Sequence, residues 1–245
     1  MAKFSFKNAT CLYGPLDISG NTNQVTLEAS ANELSTSNFA GNGWKEIVNG
    51  LKMGNASYSG YLETTAEPDA YFFNNTVGIP ATFTKTNPAV AEDVAYALKV
   101  ARTRYSPKMP VGELYGFDLA TAGQSPLVRG IILATEDAVT ATDVTAAVNH
   151  GVIAANKYAY AALHVTAVTG TTVSFAAIVE SDTEEAFGDD PTTRFTFTTV
   201  TDVTGVSSQW GTPVAGAIAD HDWWRVSYTI TGTAAFTYRV FFGIQ

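Results

Sequence analysis

Hydrophobic and polar residues alternate along much of this chain, with the two-residue period that is typical of half-buried β-strands. Residues 23 to 31 read NQVTLEASA, so valine, leucine and alanine alternate with threonine, glutamate and serine. Residues 94 to 105, VAYALKVARTRY, are rich in alanine, but their alternation favours a strand over a helix. The residues predicted on one side of that strand are Val94, Tyr96, Leu98 and Val100, continued by Arg102 and Arg104.

The C-terminal half repeats this pattern in longer segments. Residues 157 to 182 are predicted as two long strands joined at TGTT. Residues 223 to 245 are predicted as a hairpin around TGTAA, and residues 113 to 133 as a hairpin around AGQS. Since neighbouring side chains on a strand point to opposite faces, Trp223 and Trp224 cannot both join one flat platform.

Signals for helices are few. The segment GWKEIVNGL, residues 43 to 51, permits two helical turns that end at Gly50. Residues 134 to 148 mix small and β-branched residues and form the predicted domain junction. We therefore predict a mainly β fold with two β-sandwich or barrel domains, residues 1–134 and 135–245, and one short helix in the N-terminal domain.

The composition and net charge of the chain indicate which kinds of molecule it can bind. Hydrophobic residues make up 46% of the chain and charged residues only 15%, which suits a protein whose outside is covered by copies of itself. The net charge is -9; residues 1–134 carry 10 basic and 11 acidic residues, and the remainder 4 and 12. A nucleic-acid-binding face needs clustered lysine and arginine, so this balance argues against one.

The single cysteine, Cys11, excludes an intrachain disulfide framework and a cysteine-based zinc site. The N-terminus lacks the apolar core of a signal peptide, and no apolar run approaches the ~18 residues of a membrane span. We therefore expect synthesis in a cytoplasm without export, and no membrane partner.

Candidate catalytic or metal-binding residues are sparse. Asp220, His221 and Asp222 could be metal ligands, but they more plausibly belong to the turn that enters the next strand. Neither His150 nor His164 lies in a spacing that is typical of a metal site. The acidic segment 180 to 191 is interpreted as a hydrated loop, with a calcium site as the alternative. We predict no enzyme activity, no catalytic residue, no cofactor and no metal.

Aromatic and basic residues offer two kinds of surface. Seven aromatic residues could bind carbohydrate, although a place in the core or in an interface is favoured. They are Tyr58, Tyr61, Tyr71, Phe72, Phe73, Trp210 and Trp223. Lys99, Arg102, Arg104 and Lys108 form a basic cluster, for which a salt-bridged contact between copies is favoured over DNA binding.

One resemblance extends over most of the chain. Residues 13 to 63 resemble the N-terminal pattern of major tail proteins, the tail tube proteins of long-tailed bacteriophages. The pattern comprises a Leu-Asp-Ile-Ser-Gly opening, a strand, a polar loop, and a Gly-Leu-Lys-x-Gly step into a strand that ends Gly-Tyr. Residues 157 to 245 resemble a C-terminal β-domain of related phage tail proteins.

The resemblance implies a virion structural protein that polymerises into stacked rings around a channel for genome ejection. The implied partners are the chain itself, in trimeric or hexameric rings, other tail proteins, and DNA that passes without sequence-specific binding. By this likeness, residues 35 to 51 are a candidate loop between rings. The candidate interface residues are Asn38, Phe39, Trp44, Lys45, Arg102 and Arg104. The resemblance also implies a place in the virion tail after synthesis in the host bacterial cytoplasm. The alternative is a phage head decoration protein or a glycan-binding adhesin module.

Overall fold

The structure is a computed structural model that describes residues 9–35, 47–62, 67–188 and 191–245. About 60% of the residues lie in strands and 3% in helix, which confirms the predicted mainly β fold. Within the described residues there is one helix, α1 (Glu67–Asn74), and none that is long and apolar enough to cross a membrane.

The strands pair in antiparallel ladders, as the short connections between them favour. In chain order they are β1 (Cys11–Tyr13), β2 (Leu16–Asp17), β3 (Thr22–Ser35), β4 (Ile47–Tyr61), β5 (Ile79–Thr84), β6 (Val94–Lys108), β7 (Gly116–Gly123), β8 (Val128–Val139), β9 (Asp143–Val144), β10 (Val148–Asn149), β11 (Tyr158–Gly170), β12 (Ser174–Asp182), β13 (Thr192–Thr196), β14 (Val200–Thr201), β15 (Ser207–Trp210), β16 (Val214–Ala215), β17 (Trp223–Thr231) and β18 (Ala234–Ile244).

The chain divides into two compact units, and each is assembled from separate segments. The first, which we call the sandwich unit, comprises Met1–Asn21, Ile79–Ala97 and Val128–Gln245. The second, the hairpin unit, comprises Thr22–Gly78 and Leu98–Leu127. This division differs from the predicted domains 1–134 and 135–245, whose boundary falls inside β8.

Two sheets face each other in the sandwich unit. One has the order β15-β11-β18-β8, and the other has the order β10-β17-β12-β13. The core between them contains side chains from both sheets, including Phe175, Trp224 and Phe242. The ring centroids of Trp224 and Phe242 lie 4.3 Å apart. Because side chains alternate along each strand, every second residue enters this core, as the sequence predicts.

The predicted hairpin at 223 to 245 is wrong in its pairing, whereas the two strands predicted at 157 to 182 are present as β11 and β12. β11 belongs to the first sheet and β12 to the second, while β17 belongs to the second sheet and β18 to the first. Each turn therefore carries the chain from one sheet to the other, and the ladders are β11 with β18 and β12 with β17. A Cβ atom on Gly170 would lie 2.4 Å from the Thr233 carbonyl oxygen, so the two turns approach each other too closely for a side chain at that position.

The predicted hairpin around AGQS is also wrong. β7 pairs with β6 from Val100 onward, whereas β8 pairs with β6 between Val94 and Ala97. The two segments thus bond to successive parts of one strand instead of to each other. Alternation predicts a strand well, but it does not specify which neighbour the strand pairs with.

The predicted helix at 43 to 51 is wrong for its described part. Residues 47 to 51 begin β4, which pairs with β3 along nearly its whole length. The observed helix α1 instead begins at Glu67 and Pro68. A proline in the first helical turn is a favourable start, because its missing N–H has no partner there in any case. That signal was available in the sequence.

Candidate assembly site

The hairpin unit is built on a four-stranded antiparallel sheet with the order β3-β4-β7-β6. Helix α1 covers one face of this sheet. The Phe72 ring of α1 packs with its centroid 5.6 Å from Tyr105 and 5.1 Å from Phe117. Phe72 and Phe117 are buried, as is Leu119 on the same face. This apolar face gives the unit its own core.

Polar contacts attach the helix to the sheet. The Tyr105 hydroxyl donates a hydrogen bond to Asp69 Oδ1. Burial and the nearby Asp69 carboxylate raise the pKa of Tyr105, so the hydroxyl keeps the proton that it donates. Arg102 donates to the carbonyl oxygens of Phe72 and Phe73, the latter at 3.1 Å, in the last turn of α1. These carbonyls have no partner within the helix, so Arg102 caps it.

A bulge in β6 separates the two arginines that were predicted on one side. Arg102 pairs with Thr121 and Arg104 with Ala120, so one residue of β6 between them has no counterpart in β7. An extra residue reverses the faces of the side chains that follow. Arg102 therefore lies on the helix side, and Arg104 lies on the opposite face. The prediction that both arginines lie on one side of the strand is wrong, because the alternation of residue types does not indicate a bulge.

The face opposite the helix is polar, and we call it the open face. Its rows follow the strand register: Thr26 pairs with Ser57, Ser57 with Ala120, and Ala120 with Arg104. Hydroxyl and amide side chains are common on it. The face includes Gln24, Thr26, Glu28, Ser30, Asn55, Ser57, Ser59, Asp118, Ala120, Arg104, Ser106 and Lys108, together with the larger exposed side chains Met53 and Tyr61.

Four charged side chains lie on these rows of the open face. Lys108 Nζ and Asp118 Oδ2 are 2.6 Å apart and neutralise each other. Glu28 on β3 and Arg104 on β6 are exposed, and neither has an ion-pair partner among the described residues. A shallow depression of about 220 Å³ borders Arg104 and reaches across the face to Gln24. The charges of the rows from Glu28 to Lys108 sum to zero, and Lys99, farther along β6 on the same face, adds one positive charge.

One edge of this sheet is open. β3 pairs with β4, and in the described part of the chain no strand pairs with its other edge. From Thr22 to Ala31 none of its side chains is buried. A long strand with unpaired N–H and C=O groups is a template for pairing with another chain.

The hairpin unit also exposes apolar side chains. It has about a third of the chain's residues but half of the exposed large apolar side chains in the described ranges. They are Met53, Tyr61, Phe73, Val77, Met109, Val111 and Leu114. Three of these, Met109, Val111 and Leu114, lie in the turn between β6 and β7. Exposed apolar side chains that are grouped, as in this turn, are characteristic of contact with other proteins, whereas scattered ones are ordinary.

Of the six predicted interface residues, the structure places two. Arg104 is exposed on the open face, and its interface role stays a prediction. Arg102 is engaged within its own unit, where it caps α1. Asn38, Phe39, Trp44 and Lys45 lie outside the described residues. Glu28, which was not singled out from the sequence, lies exposed on β3 at the edge of this sheet.

The residues considered for chemistry are held by structural contacts. Asn149 Nδ2 donates to Asp222 Oδ2 at 2.9 Å, and the Asp222 carbonyl accepts from the N–H groups of His150 and Gly151. His221 is buried with its Nδ1 atom 3.3 Å from Ser181 Oγ. Among the described residues, no group of three or more histidine, cysteine, aspartate or glutamate side chains could hold a metal ion.

The described residues of the acidic segment also make contacts within the protein. Glu180 Oε2 lies 3.0 Å from Arg225 Nη2, and the Arg225 guanidinium lies 4.0 Å from the centre of the Phe187 ring. Glu184 Oε1 accepts from the Gly188 N–H at 3.2 Å.

Two of the aromatic residues considered for carbohydrate binding, Tyr58 and Phe72, are buried. Trp210 packs on Tyr160 with ring centroids 6.2 Å apart. Adjacent positions on β17 separate the two tryptophans as predicted: Trp224 is fully buried and Trp223 is half-buried.

His164 is a fully buried histidine that joins three segments of the sandwich unit. Its Nε2 atom lies 2.8 Å from Thr82 Oγ1, and its Nδ1 atom lies 2.7 Å from the carbonyl oxygen of Gly14. Since a carbonyl only accepts, Nδ1 carries the proton and Nε2 accepts from the threonine hydroxyl. Burial lowers the pKa of His164 to about 4, so the ring is neutral at pH 7.

Acid is expected to destabilise the sandwich unit through His164. Its folded pKa lies below the ordinary value, so the unfolded chain binds the proton more readily. The stability is therefore fully present above about pH 6.5 and falls as the pH drops toward 4, by a total of roughly 3 kcal/mol. Urea unfolding between pH 7 and 4.5 measures this slope. In His164→Gln, which has no titrating ring, the slope should be smaller, and an unchanged slope would contradict the assignment.

Comparisons with known proteins give distant likenesses. No protein-family model matches the chain, and no curated protein matches its sequence. Among solved structures, the virion of a native gene transfer agent particle matches with 12% identity and a TM-score of 0.39, covering 51% of this chain and 97% of that chain. The tail of an empty gene transfer agent particle, with C6 symmetry, matches with 14% identity and a TM-score of 0.37 over the same shares.

A third structure, the Dit protein (gp 19.1) of phage SPP1, is described as a paradigm of the hub adsorption apparatus in phages that infect Gram-positive bacteria. It matches with 14% identity and a TM-score of 0.38, covering 98% of this chain and 100% of that chain. At these identities and TM-scores the three structures assign no function to this chain.

Proposed function

We propose that this chain is a structural protein of a phage tail, a tube subunit that polymerises into stacked rings around the channel for the genome. The proposal depends mainly on one observation: β3 is long, has no buried side chain between Thr22 and Ala31, and offers an open edge. Such an edge is an aggregation hazard in a monomer, but it is used when an identical neighbour pairs with it.

β6 pairs with β8 through Val94–Ala97 and also with β5, whereas its residues 103 to 108 pair with β7 on one side. We infer that the other side of these six residues provides a matching edge. Neighbours in a ring are related by rotation about its axis, and this rotation preserves the direction of each strand. In the order β3-β4-β7-β6 the first and last strands run in opposite directions, so β3 of one copy meets β6 of the next antiparallel. The sheet thus continues from copy to copy with its alternation intact.

The strand count favours six copies over three. Each copy contributes four strands, spaced about 4.8 Å apart and tilted about 40° in a barrel. Twelve strands close at a backbone diameter of roughly 24 Å, and side chains occupy roughly 10 Å of it. The remaining ~14 Å is narrower than a DNA duplex, whose two grooves alone are about 8.5 and 7.5 Å deep. Six copies leave roughly 38 Å, which admits a duplex.

The open face suits the wall of such a channel. Its small hydroxyl and amide side chains have no net charge, and Lys108 is already neutralised by Asp118. A protein that binds DNA tightly does so by neutralising phosphates with lysine and arginine. A neutral polar wall lets a duplex pass without being held.

Electron microscopy of the purified protein tests this proposal. At concentrations raised stepwise, and with tail extract as an initiator, we expect rings or tubes with six copies per ring. A protein that stays monomeric under all these conditions would contradict the tube role. Trimers that bind phage heads would favour a decoration protein, and binding to a glycan panel without rings would favour an adhesin. Both outcomes would overturn the tube assignment.

A further inference from the structure

We propose that Glu28 of one copy and Arg104 of its neighbour form an ion pair across the seam between their sheets, and that this pair helps to set the register of assembly. The inference rests on the proposed function, because it requires β3 of one copy to lie beside β6 of the next. It adds the identity of the residues that recognise the second copy.

Both side chains are available for such a contact. Glu28 and Arg104 are exposed, and no described residue forms an ion pair with either. The remaining charged side chains on these rows of the open face, Lys108 and Asp118, satisfy each other at 2.6 Å. The rows from Glu28 to Lys108 are therefore left with one free negative charge and one free positive charge.

The two free charges cannot meet within one copy. Glu28 lies on β3 and Arg104 on β6, which are the first and last strands of the sheet. Three strand spacings separate them, a distance of roughly 14 Å. An arginine and a glutamate cannot bridge that distance in a direct contact. Opposite charges at opposite edges of one face are complementary only when a second copy extends the sheet.

The strand register places the two residues within reach across the seam. Thr26, Ser57, Ala120 and Arg104 form one row across the sheet. When the neighbour's β3 continues this row, Thr26 lies opposite Arg104 and Glu28 lies on the diagonal. Diagonal neighbours are about 7–8 Å apart at the backbone, within reach of long side chains. A shift by two residues keeps the same face and places Glu28 directly opposite Arg104.

The pair distinguishes correct from incorrect neighbours. A shift by one residue would turn Glu28 to the helix side and leave Arg104 facing polar groups alone. If two copies paired through their β3 edges, the two Glu28 side chains would lie near each other. If they paired through their β6 edges, the two Arg104 side chains would do so. Like charges facing each other are unfavourable, so both wrong pairings are penalised.

A charge-exchange experiment tests the pair. We expect Glu28→Arg and Arg104→Glu each to raise the protein concentration needed for ring or tube assembly by about fivefold or more at low salt, because each variant sets like charges together. The double variant Glu28→Arg/Arg104→Glu restores opposite charges and should assemble within about twofold of the wild type. Sedimentation with electron microscopy gives the readout, and melting temperatures confirm that the variants fold.

The controls separate this inference from the proposed function. Lys157→Glu reverses an exposed charge in the sandwich unit and should assemble like the wild type. Single variants that assemble normally, or a double variant no better than the worse single variant, would overturn the ion pair while wild-type tubes still support the tube role. A wild-type protein that forms no rings would overturn both.

Discussion

Replacing Trp224 with alanine is expected to lower the free energy of unfolding of the sandwich unit by about 3–5 kcal/mol, the range for large aromatic truncations in a core. Trp224 is fully buried between the two sheets and packs on Phe242 with ring centroids 4.3 Å apart. Its Nε1 atom also donates to the Gly151 carbonyl oxygen at 2.9 Å, and alanine leaves that acceptor without a donor. Urea unfolding monitored by circular dichroism measures the loss.

Trp223 gives a matched control for this prediction. It is the preceding residue on β17, carries the same side chain, and is half-buried on the opposite face. Trp223→Ala should therefore cost clearly less than Trp224→Ala. Equal losses for the two variants, or no loss for Trp224→Ala, would show that the alternation along β17 does not decide which tryptophan supports the core.

A proline on the open edge of β3 is expected to prevent tube growth while the subunit stays folded. Consecutive residues of an antiparallel strand direct their N–H groups to opposite edges, so of Val25→Pro and Thr26→Pro one removes an outward N–H and the other a bond to β4. Thr26 is exposed and Val25 is half-buried, so neither substitution empties the core. The outward variant should melt near the wild type but need about 100-fold more protein to assemble, if two or three backbone hydrogen bonds are lost at the seam.

The melting temperatures show which proline variant has lost which hydrogen bond. The variant with the lower melting temperature has lost a bond to β4, and the other one tests assembly. Val25→Thr and Thr26→Val keep the N–H groups and serve as controls for the change of side chain. Normal tubes from the stable proline variant would remove the β3 edge from the assembly mechanism.

The strands were largely readable from the sequence, but their partners were not. Alternation identified β6, β11 and β18, because each has one face in a core, and it identified β3, where Val25 and Leu27 on one face are half-buried. The same alternation fits a hairpin and a turn that crosses between two sheets, so β17 and β18 were paired with each other incorrectly. Pairing depends on contacts between residues far apart in the chain, and single-strand patterns contain no information about them.

The candidate site was only partly predictable for a similar reason. The sequence groups Arg102 and Arg104 in one basic cluster. Because of the bulge between them, Arg102 caps α1 and Arg104 is exposed on the open face. In the sequence pattern, Glu28 does not differ from the other polar residues of a half-buried strand. Its importance follows from the order of four strands, which the sequence did not reveal.

The position of β18 has a consequence for biosynthesis. This strand follows β8 and β11 in the sequence and lies between them in the sheet. Its neighbours on both sides therefore have unfilled ladders until β18 itself has been synthesised and has left the ribosome, so the sandwich unit cannot finish folding before then. A subunit cut short by premature termination would lack this strand, leave two edges of one sheet exposed, and be a substrate for chaperones and proteases before it reached a growing polymer.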